Sequence, residues 1–447
     1  MIPINKFTIA TFLTVSTFLV RSLYSQDNQA KNLWPTYQGM SQKGVDTSTL
    51  NGKVMCGYQG WFTSPGDGAD RGWFHWGKGG RFEPGSCTID LWPDMTEYDP
   101  DEQYPTAFKH KDGSTAYVFS SMNRNTVLRH FRWMNEYGID GAFVQRFATQ
   151  TFSQSGLNHC NTVLDHCRAG ANQFGRAYAV MYDLSGMRQN QMQRVIEDWK
   201  NLVDKMKITK ESRDKAYLQH KGKPVVAVWG IGFNDGRRYT LDECAALIDF
   251  LKNDQRYGGC TVMIGVPSWW RTLKRDSVPD TKLHDVIRKA DIVSPWTVGR
   301  YRTLDGIRNH ARDCWTPDID WCKKNGKEYL PVVFPGFSWH NMKSESKLDM
   351  IPRQKGRFLW KQYVEAQNAG ATMIYQAMFD EVDEGTAIFK CTNNPPIGAS
   401  PFLTYEGLPS DYYLRLVGHA ARCLRQKRPL PPDPLPTSSP RTGAGGK

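Results

Sequence analysis

Ala371-Thr372-Met373-Ile374-Tyr375-Gln376-Ala377-Met378 passes directly into Phe379-Asp380-Glu381-Val382-Asp383-Glu384-Gly385-Thr386. The first octet is short and apolar, and it reads as a buried strand. The second puts four carboxylates within five residues. Like charges that close raise one another's pKa, so the cluster is costly. A chain keeps such a cluster where it binds a metal or sugar hydroxyls, or where it needs one carboxyl protonated and its neighbour ionised. In a barrel of parallel strands the active site is built at the C-terminal ends of the strands.

Working outward from this stretch, seven further apolar, β-branched or aromatic runs can be marked. They are Lys53–Phe62, Gly141–Phe147, Ala177–Asp183, Pro224–Gly230, Cys260–Val266, Asp291–Trp296 and Tyr329–Pro335. Most are bounded by Gly, Pro, Asp or Ser, as buried parallel strands are. Amphipathic segments alternate with them at Asn125–Tyr137, Gln189–Met206, Leu241–Leu251, Leu283–Lys289 and Gly356–Asn368, with a final helix at Ser410–Arg425. Thr240-Leu-Asp-Glu243 has the form of a capping box, and Gly138 stands just past the end of a helix. The alternation predicts an α/β fold, a (β/α)8 TIM barrel, over residues 26–425. One connection is far longer than a barrel needs. Thr63 to Met122 separates the first strand from its helix, and so long a loop at a barrel mouth is usually functional.

The two ends read differently. Residues 1–25 have the form of a signal peptide, with Lys6 before an apolar run from Phe7 to Val20 and cleavage expected near Ser25. The expected location is therefore secreted or periplasmic, with no membrane association after the leader is removed. No later stretch is long and apolar enough to span a bilayer. Residues 426–447 are rich in Pro, Ser and Gly and are expected to be a disordered tail. Ten cysteines suit an oxidising compartment, but none forms a CxxC pair or a Cys/His zinc pattern. The formal charge of +12 becomes +10 once Lys6 and Arg21 leave with the leader. That balance favours an acidic or sulfated polysaccharide partner, or is a plain solubility balance. An exported chain without a nucleic-acid motif argues against nucleic acid.

The expected strand ends carry a consistent set of side chains. They are Tyr58 and Trp61, Gln145 and Arg146, Asp183, Trp229, Trp269, Trp296, and Trp339 with His340. His75 and Trp76 in the long loop join them. Fifteen tryptophans are many for this length, and several fall at these ends. Aromatic faces stack on the apolar faces of sugar rings, while carboxylates and amides take the hydroxyls. Hydrolysis of a glycosidic bond commonly uses two Asp or Glu residues, one a proton donor and one ionised. Glu381 and Glu384 are the natural pair. Arg146 is the candidate to hold one of them ionised. Asp380 and Asp383 read as turn residues or supporting acceptors.

Glu381-Val382-Asp383-Glu384-Gly385-Thr386 resembles the E-W-H-E-G-T motif of glycoside hydrolase family 99, the endo-α-mannosidases and endo-α-mannanases. That family is related to the α-1,3-glucanases of family 71. The resemblance extends through Gly57-Tyr58-Gln59-Gly60-Trp61, His75-Trp76, Gly138-Ile139-Asp140-Gly141, Tyr182-Asp183 and Phe334-Pro335-Gly336-Phe337. It implies a retaining, endo-acting enzyme on an α-linked polysaccharide, with no metal or other cofactor. In it Glu384 is the acid/base on the glycosidic oxygen. Glu381 assists the sugar 2-hydroxyl in a neighbouring-group reaction, and Asp183 is a sugar ligand. The chain departs from the motif at Val382 and Asp383, which replace Trp and His, and at Asp380, which replaces the usual Asn.

Two other readings stay open at this point. One is a carbohydrate-binding barrel without catalysis. The other is a metal-dependent hydrolase using the four acids with His75 or His340.

Overall fold

Eight parallel strands close a ring in chain order. They are Val54–Tyr58, Gly141–Phe147, Ala177–Asp183, Lys223–Trp229, Thr261–Pro267, Ile292–Trp296, a seventh strand in two pieces, and Ile374–Gln376. The computed structural model describes residues 33–434, and the barrel belongs to the unit that begins at Trp34. The expected leader at residues 1–25 lies outside the described residues.

Each strand pairs with its neighbours in sequence, and the first pairs with both the second (Met55 beside Gly141) and the eighth (Val54 beside Ile374). The seventh strand makes the closure. Its first piece, Glu328–Tyr329, pairs with the sixth strand, and its second, Val332–Val333, pairs with the eighth. Leu330 and Pro331 stand between the pieces. Proline has no N–H for the ladder, so the strand changes partner there. The third and fifth strands are buried along their whole length, because helices cover one face and barrel side chains the other.

Helices follow the strands at Arg124–Tyr137, Gln154–Gln173, Met192–Asp204, Leu241–Asn253, Lys282–Lys289, Arg357–Asn368 and Tyr412–Arg425. After the sixth strand there are two, Leu304–His310 and Thr316–Lys324. The expected caps are present. The Thr240 hydroxyl accepts from the Glu243 N–H, and the Glu243 carboxylate accepts from the Thr240 N–H at 2.8 Å. Gly138 takes φ +80° and closes the first helix by donating to Met134.

The long first loop is folded rather than loose. It contains the hairpin Tyr104–Lys109/Thr115–Val118 and an aromatic core of its own. Trp76 packs on Phe62 with ring centroids 4.3 Å apart, and Phe82 stacks on Trp92 at 5.6 Å.

Two expectations about the chain's economy need correction or completion. The tail does not become free at residue 426. The Trp360 indole donates to the Pro431 carbonyl, Leu430 donates its N–H to Gln367, and Leu430 is buried. The apolar Leu430 and the open acceptors of the last helices hold this piece in place, and residues 435–447 lie outside the described residues. All ten cysteines are free thiols, nine of them buried, so the core is held without a disulfide. No helix among the described residues is long and apolar enough to cross a membrane.

Candidate active site

The eighth strand ends at Gln376, and the four carboxylates follow at the mouth of the barrel. They do not act alike, because each meets a different partner.

Asp380 is buried and turned toward the end of the first strand. Its two oxygens accept the backbone N–H groups of Gln59 and Gly60, both at 2.8 Å. Burial pushes its carboxyl up to about 7, opposed by these donors. Its work is to bind the first loop to the eighth. Asp383 meets His75 Nδ1 at 2.8 Å, while its other oxygen is buried without a partner. Burial raises the Asp383 carboxyl to about 8 and lowers His75 to about 3. Both shifts disfavour charge on the pair. The imidazole in turn stacks on Trp61, with centroids 3.7 Å apart and planes 5° from parallel.

Glu381 and Glu384 open on one cleft of ≈ 190 Å³ at the mouth. Glu381 is 3% exposed and held at both oxygens. The Gln59 amide donates to Oε1 at 2.5 Å, and the Thr386 hydroxyl donates to Oε2. Burial and the charges of Glu384 and Asp383 raise its carboxyl well above the ordinary range, against the pull of these two donors. Glu384 is more exposed, and among the described residues no group donates to its carboxyl. Burial first, then the Asp383 charge, pushes it up to about 7, with Lys343 drawing it back. The two carboxyls therefore stand in different surroundings, although burial raises both. One carboxyl is clamped by donors that favour its ionised form. The other is free to hold and release a proton near neutral pH.

Of the residues expected at the site, Trp61, Gln145, Asp183, Trp229 and Trp296 line the same cleft as Glu381 and Glu384. Gln145 donates to the Tyr375 hydroxyl at 2.9 Å. Asp183 accepts from the Ser185 N–H at 2.7 Å, and burial raises its carboxyl. Trp229 and Trp296 meet edge to face at 5.5 Å. His75 reaches the site through Asp383 and Trp61 rather than lining the cleft.

Six other expectations are corrected. Tyr58 is fully buried behind the strand, its hydroxyl bonded to His130 Nδ1 at 2.8 Å. Arg146 points out of the barrel wall and is fixed to Asp198 by two hydrogen bonds of 2.6 Å, so it does not hold a catalytic carboxylate ionised. Strand alternation explains both, since Gln59 and Gln145 take the inward positions next to them. Trp76 is the fully buried core of the long loop. Trp269 is capped by the Arg275 guanidinium at 4.0 Å, outside the cleft. Trp339 packs on Phe337 and under the Lys343 ammonium, which lies 3.8 Å from its ring centre. His340 is a loop anchor, donating its N–H to Asp90 at 2.7 Å, with Nδ1 against the Ser346 carbonyl.

Residue-by-residue reading missed Gln59, Thr386 and Asp90. Gln59 was visible as the inward neighbour of Tyr58 at a strand end. Asp90 carries no local signal. Its buried carboxylate accepts from the Ser338 hydroxyl and the His340 and Asn341 N–H groups, tying the long loop to the seventh. Among the described residues no group of three or more His, Cys, Asp and Glu side chains converges as metal ligands.

No family model and no curated protein matches the chain. Solved structures do. The family 99 endo-α-mannosidase from Bacteroides thetaiotaomicron matches at 17% identity and TM-score 0.61, over 85% of this chain and 99% of that one. The same bacterium's enzyme with bis-tris-propane bound matches at 18% identity and TM-score 0.61, over the same shares. A glycoside hydrolase-like protein matches at 13% identity and TM-score 0.51, over 86% of this chain and 98% of that one. The resemblance carried by the motif thus extends to the architecture, and what is shared is the (β/α)8 barrel of the family 99 endo-α-mannosidase.

Proposed function

We propose that this protein is an exported glycoside hydrolase that cuts α-linked polysaccharide internally with retention, using Glu384 as acid/base and Glu381 as partner to the sugar 2-hydroxyl. The observation that carries the reading is the pair itself. Glu381, clamped by Gln59 and Thr386, and Glu384, without a donor, share one aromatic-walled cleft. Export rests on Lys6 and the Phe7–Val20 run. The net charge of +10 that remains once Lys6 and Arg21 leave with the leader is compatible with an acidic or sulfated glycan.

In this reading Glu384 gives its proton to the leaving glycosidic oxygen. Glu381 takes the proton of the 2-hydroxyl, and that oxygen closes on the anomeric carbon to form a 1,2-anhydro sugar. Water then opens the ring. Glu384 takes the water's proton and Glu381 returns the 2-hydroxyl proton, so both carboxyls end as they began. Trp229, Trp296 and Trp61 offer faces for the sugar rings, and Asp183 and Gln145 offer hydroxyl partners.

The test is a screen of purified protein against α-mannans, α-glucans and sulfated polysaccharides, with Glu384→Gln as control. Release of oligosaccharides that disappears in Glu384→Gln supports the reading. A glycan that binds but is cut by neither protein would leave a binding barrel and remove the catalytic roles of Glu381 and Glu384.

A further inference from the structure

Beside the catalytic cleft lies a second hollow of ≈ 420 Å³, formed by the loops after the third and fourth strands. Ser185 belongs to both hollows, so they adjoin along one wall. Arg188, Arg237 and Arg238 line this hollow against a single acid, Asp235. Arg237 is fully engaged. It binds Asp235 through Nε and Nη2, approaches the Tyr239 hydroxyl at 3.0 Å, and lies 4.9 Å over the ring of Trp229. Trp229 is itself a wall of the catalytic cleft. Arg188 and Arg238 are different. A parallel backbone bridge sets them side by side, and both are exposed. Among the described residues neither guanidinium has a hydrogen-bond or ion-pair partner. Some exposed arginines elsewhere are answered by an acid, as Arg256 is by Asp204 and Arg308 by Asp305. Others, such as Arg302 and Arg357, stand apart on the surface rather than side by side in a hollow.

Two exposed arginines with bridged backbones, neither paired with an acid, in one concave wall offer the planar donor forks that bind oxyanions. We propose that this hollow is a subsite for an anionic substituent of the saccharide, a sulfate ester or a uronate carboxylate, carried by a sugar next to those in the catalytic cleft. The proposal rests on the glycosidase reading for the identity of the chain that enters. It adds the class of substituent and the residues that read it. Arg188 and Arg238 grip the oxyanion. Arg237, held by Asp235, supports the Trp229 platform.

The experiment measures binding by calorimetry and cleavage by product release, with four probes. These are a sulfated α-mannan oligosaccharide, its desulfated form, an α-linked oligouronide of equal length, and inorganic sulfate. The proteins are wild type, Arg188→Ala, Arg238→Ala, the double variant, and Arg308→Ala as a control of equal charge on the outer helices. At least one charged saccharide is expected to bind roughly tenfold or more tightly than the uncharged one, as charge-assisted bonds to a guanidinium allow. Each single variant is expected to lose most of that preference and the double variant all of it, with Arg308→Ala unchanged. The sulfated and uronide arms tell which oxyanion is read.

Equal binding of charged and uncharged saccharides overturns the proposal, as does a preference that survives in the double variant or falls equally in Arg308→Ala. Charge preference without cleavage would remove the hydrolase reading and leave the subsite. Cleavage without charge preference would do the reverse.

Discussion

The two walls of the cleft are built on opposite plans. One is made by the long first loop, where aromatic rings pack until little is left open. Trp76, Phe82, Trp92 and Phe119 are buried, Trp61 lies flat on His75, and His75 closes on Asp383. The other is made by the loops after the third and fourth strands. There Trp229 keeps a face toward the cleft, and arginines line an open hollow. The closed wall keeps water from the acids, which is why burial is the leading cause of every raised carboxyl in the motif. The open wall leaves room for substrate. A pair of carboxyls between such walls gains a high pKa from one side and access from the other.

The sharpest way to break this picture is to treat the two glutamates as interchangeable. Both Glu384→Gln and Glu381→Gln are expected to cut kcat on polysaccharide by about 10²–10⁴-fold, the usual reach of a lost acid or base. They should part on a substrate whose leaving group needs no proton, such as a glycosyl fluoride. Glu384→Gln should recover much of its rate there, and Glu381→Gln should not. Equal rescue of both, followed by fluoride release, would end the division of roles.

The walls should also part in stability. Trp76→Ala removes a fully buried indole from the closed wall and is expected to cost about 3–5 kcal/mol, read by urea unfolding. Trp229→Ala on the open wall should change stability by about 1 kcal/mol and raise KM instead. A Trp229 variant that unfolds as easily as the Trp76 variant would make both tryptophans core.

Much of this was legible in the sequence, and the failures have physical causes. The strands could be read because each is a short apolar run buried on both faces. The helix Gln154–Gln173 could not be, because its buried face carries His159, Asn161, Arg168 and Asn172, and so has no clean apolar stripe. The motif singled out Glu381 and Glu384, which line one cleft, because acids crowded after a strand are costly. Tyr58 and Arg146 were misread because chemistry was weighed without the alternation of the strand, which sends Gln59 and Gln145 inward in their place. Trp76 was misread because a loop of that length can hold a core of its own. Asp90 was out of reach, since its partner Ser338 is 248 residues away.

The acids also set a pH dependence with a definite sign. Asp380 and Glu384 are raised to about 7 and Asp383 to about 8 in the folded chain, above the ordinary carboxyl range of the unfolded one. Over that window these carboxyls bind more protons in the folded state, so their own contribution to stability falls as pH rises from about 5 to 8. Buried histidines such as His130 and His159, lowered to about 3, act in the opposite sense up to about pH 6.5. The thermal midpoint of wild type relative to Asp383→Asn is expected to be lower at pH 8 than at pH 5, because only wild type carries the raised Asp383 carboxyl. A wild-type midpoint that rises relative to Asp383→Asn over this range would mean that Asp383 is ionised in the fold, and that the closed wall does not exclude water.

The smallest effect tests the Lys343 cation, whose charge acts on Glu384. Lys343 lies over Trp339 and is the charge that draws Glu384 back down. The acid must be protonated to act, so activity should fall as pH rises through about 7, the value to which burial and Asp383 push Glu384. Lys343→Met keeps the apolar stem on Trp339 and removes the charge. Without it the protonated form of Glu384 persists to higher pH. The alkaline limb of kcat should therefore move upward, by less than burial moved it, with little change in stability. A limb that stays put means that Glu384 does not control it. A downward move contradicts the sign of the Lys343 charge, and the limb would then belong to the Asp383–His75 pair on the closed wall.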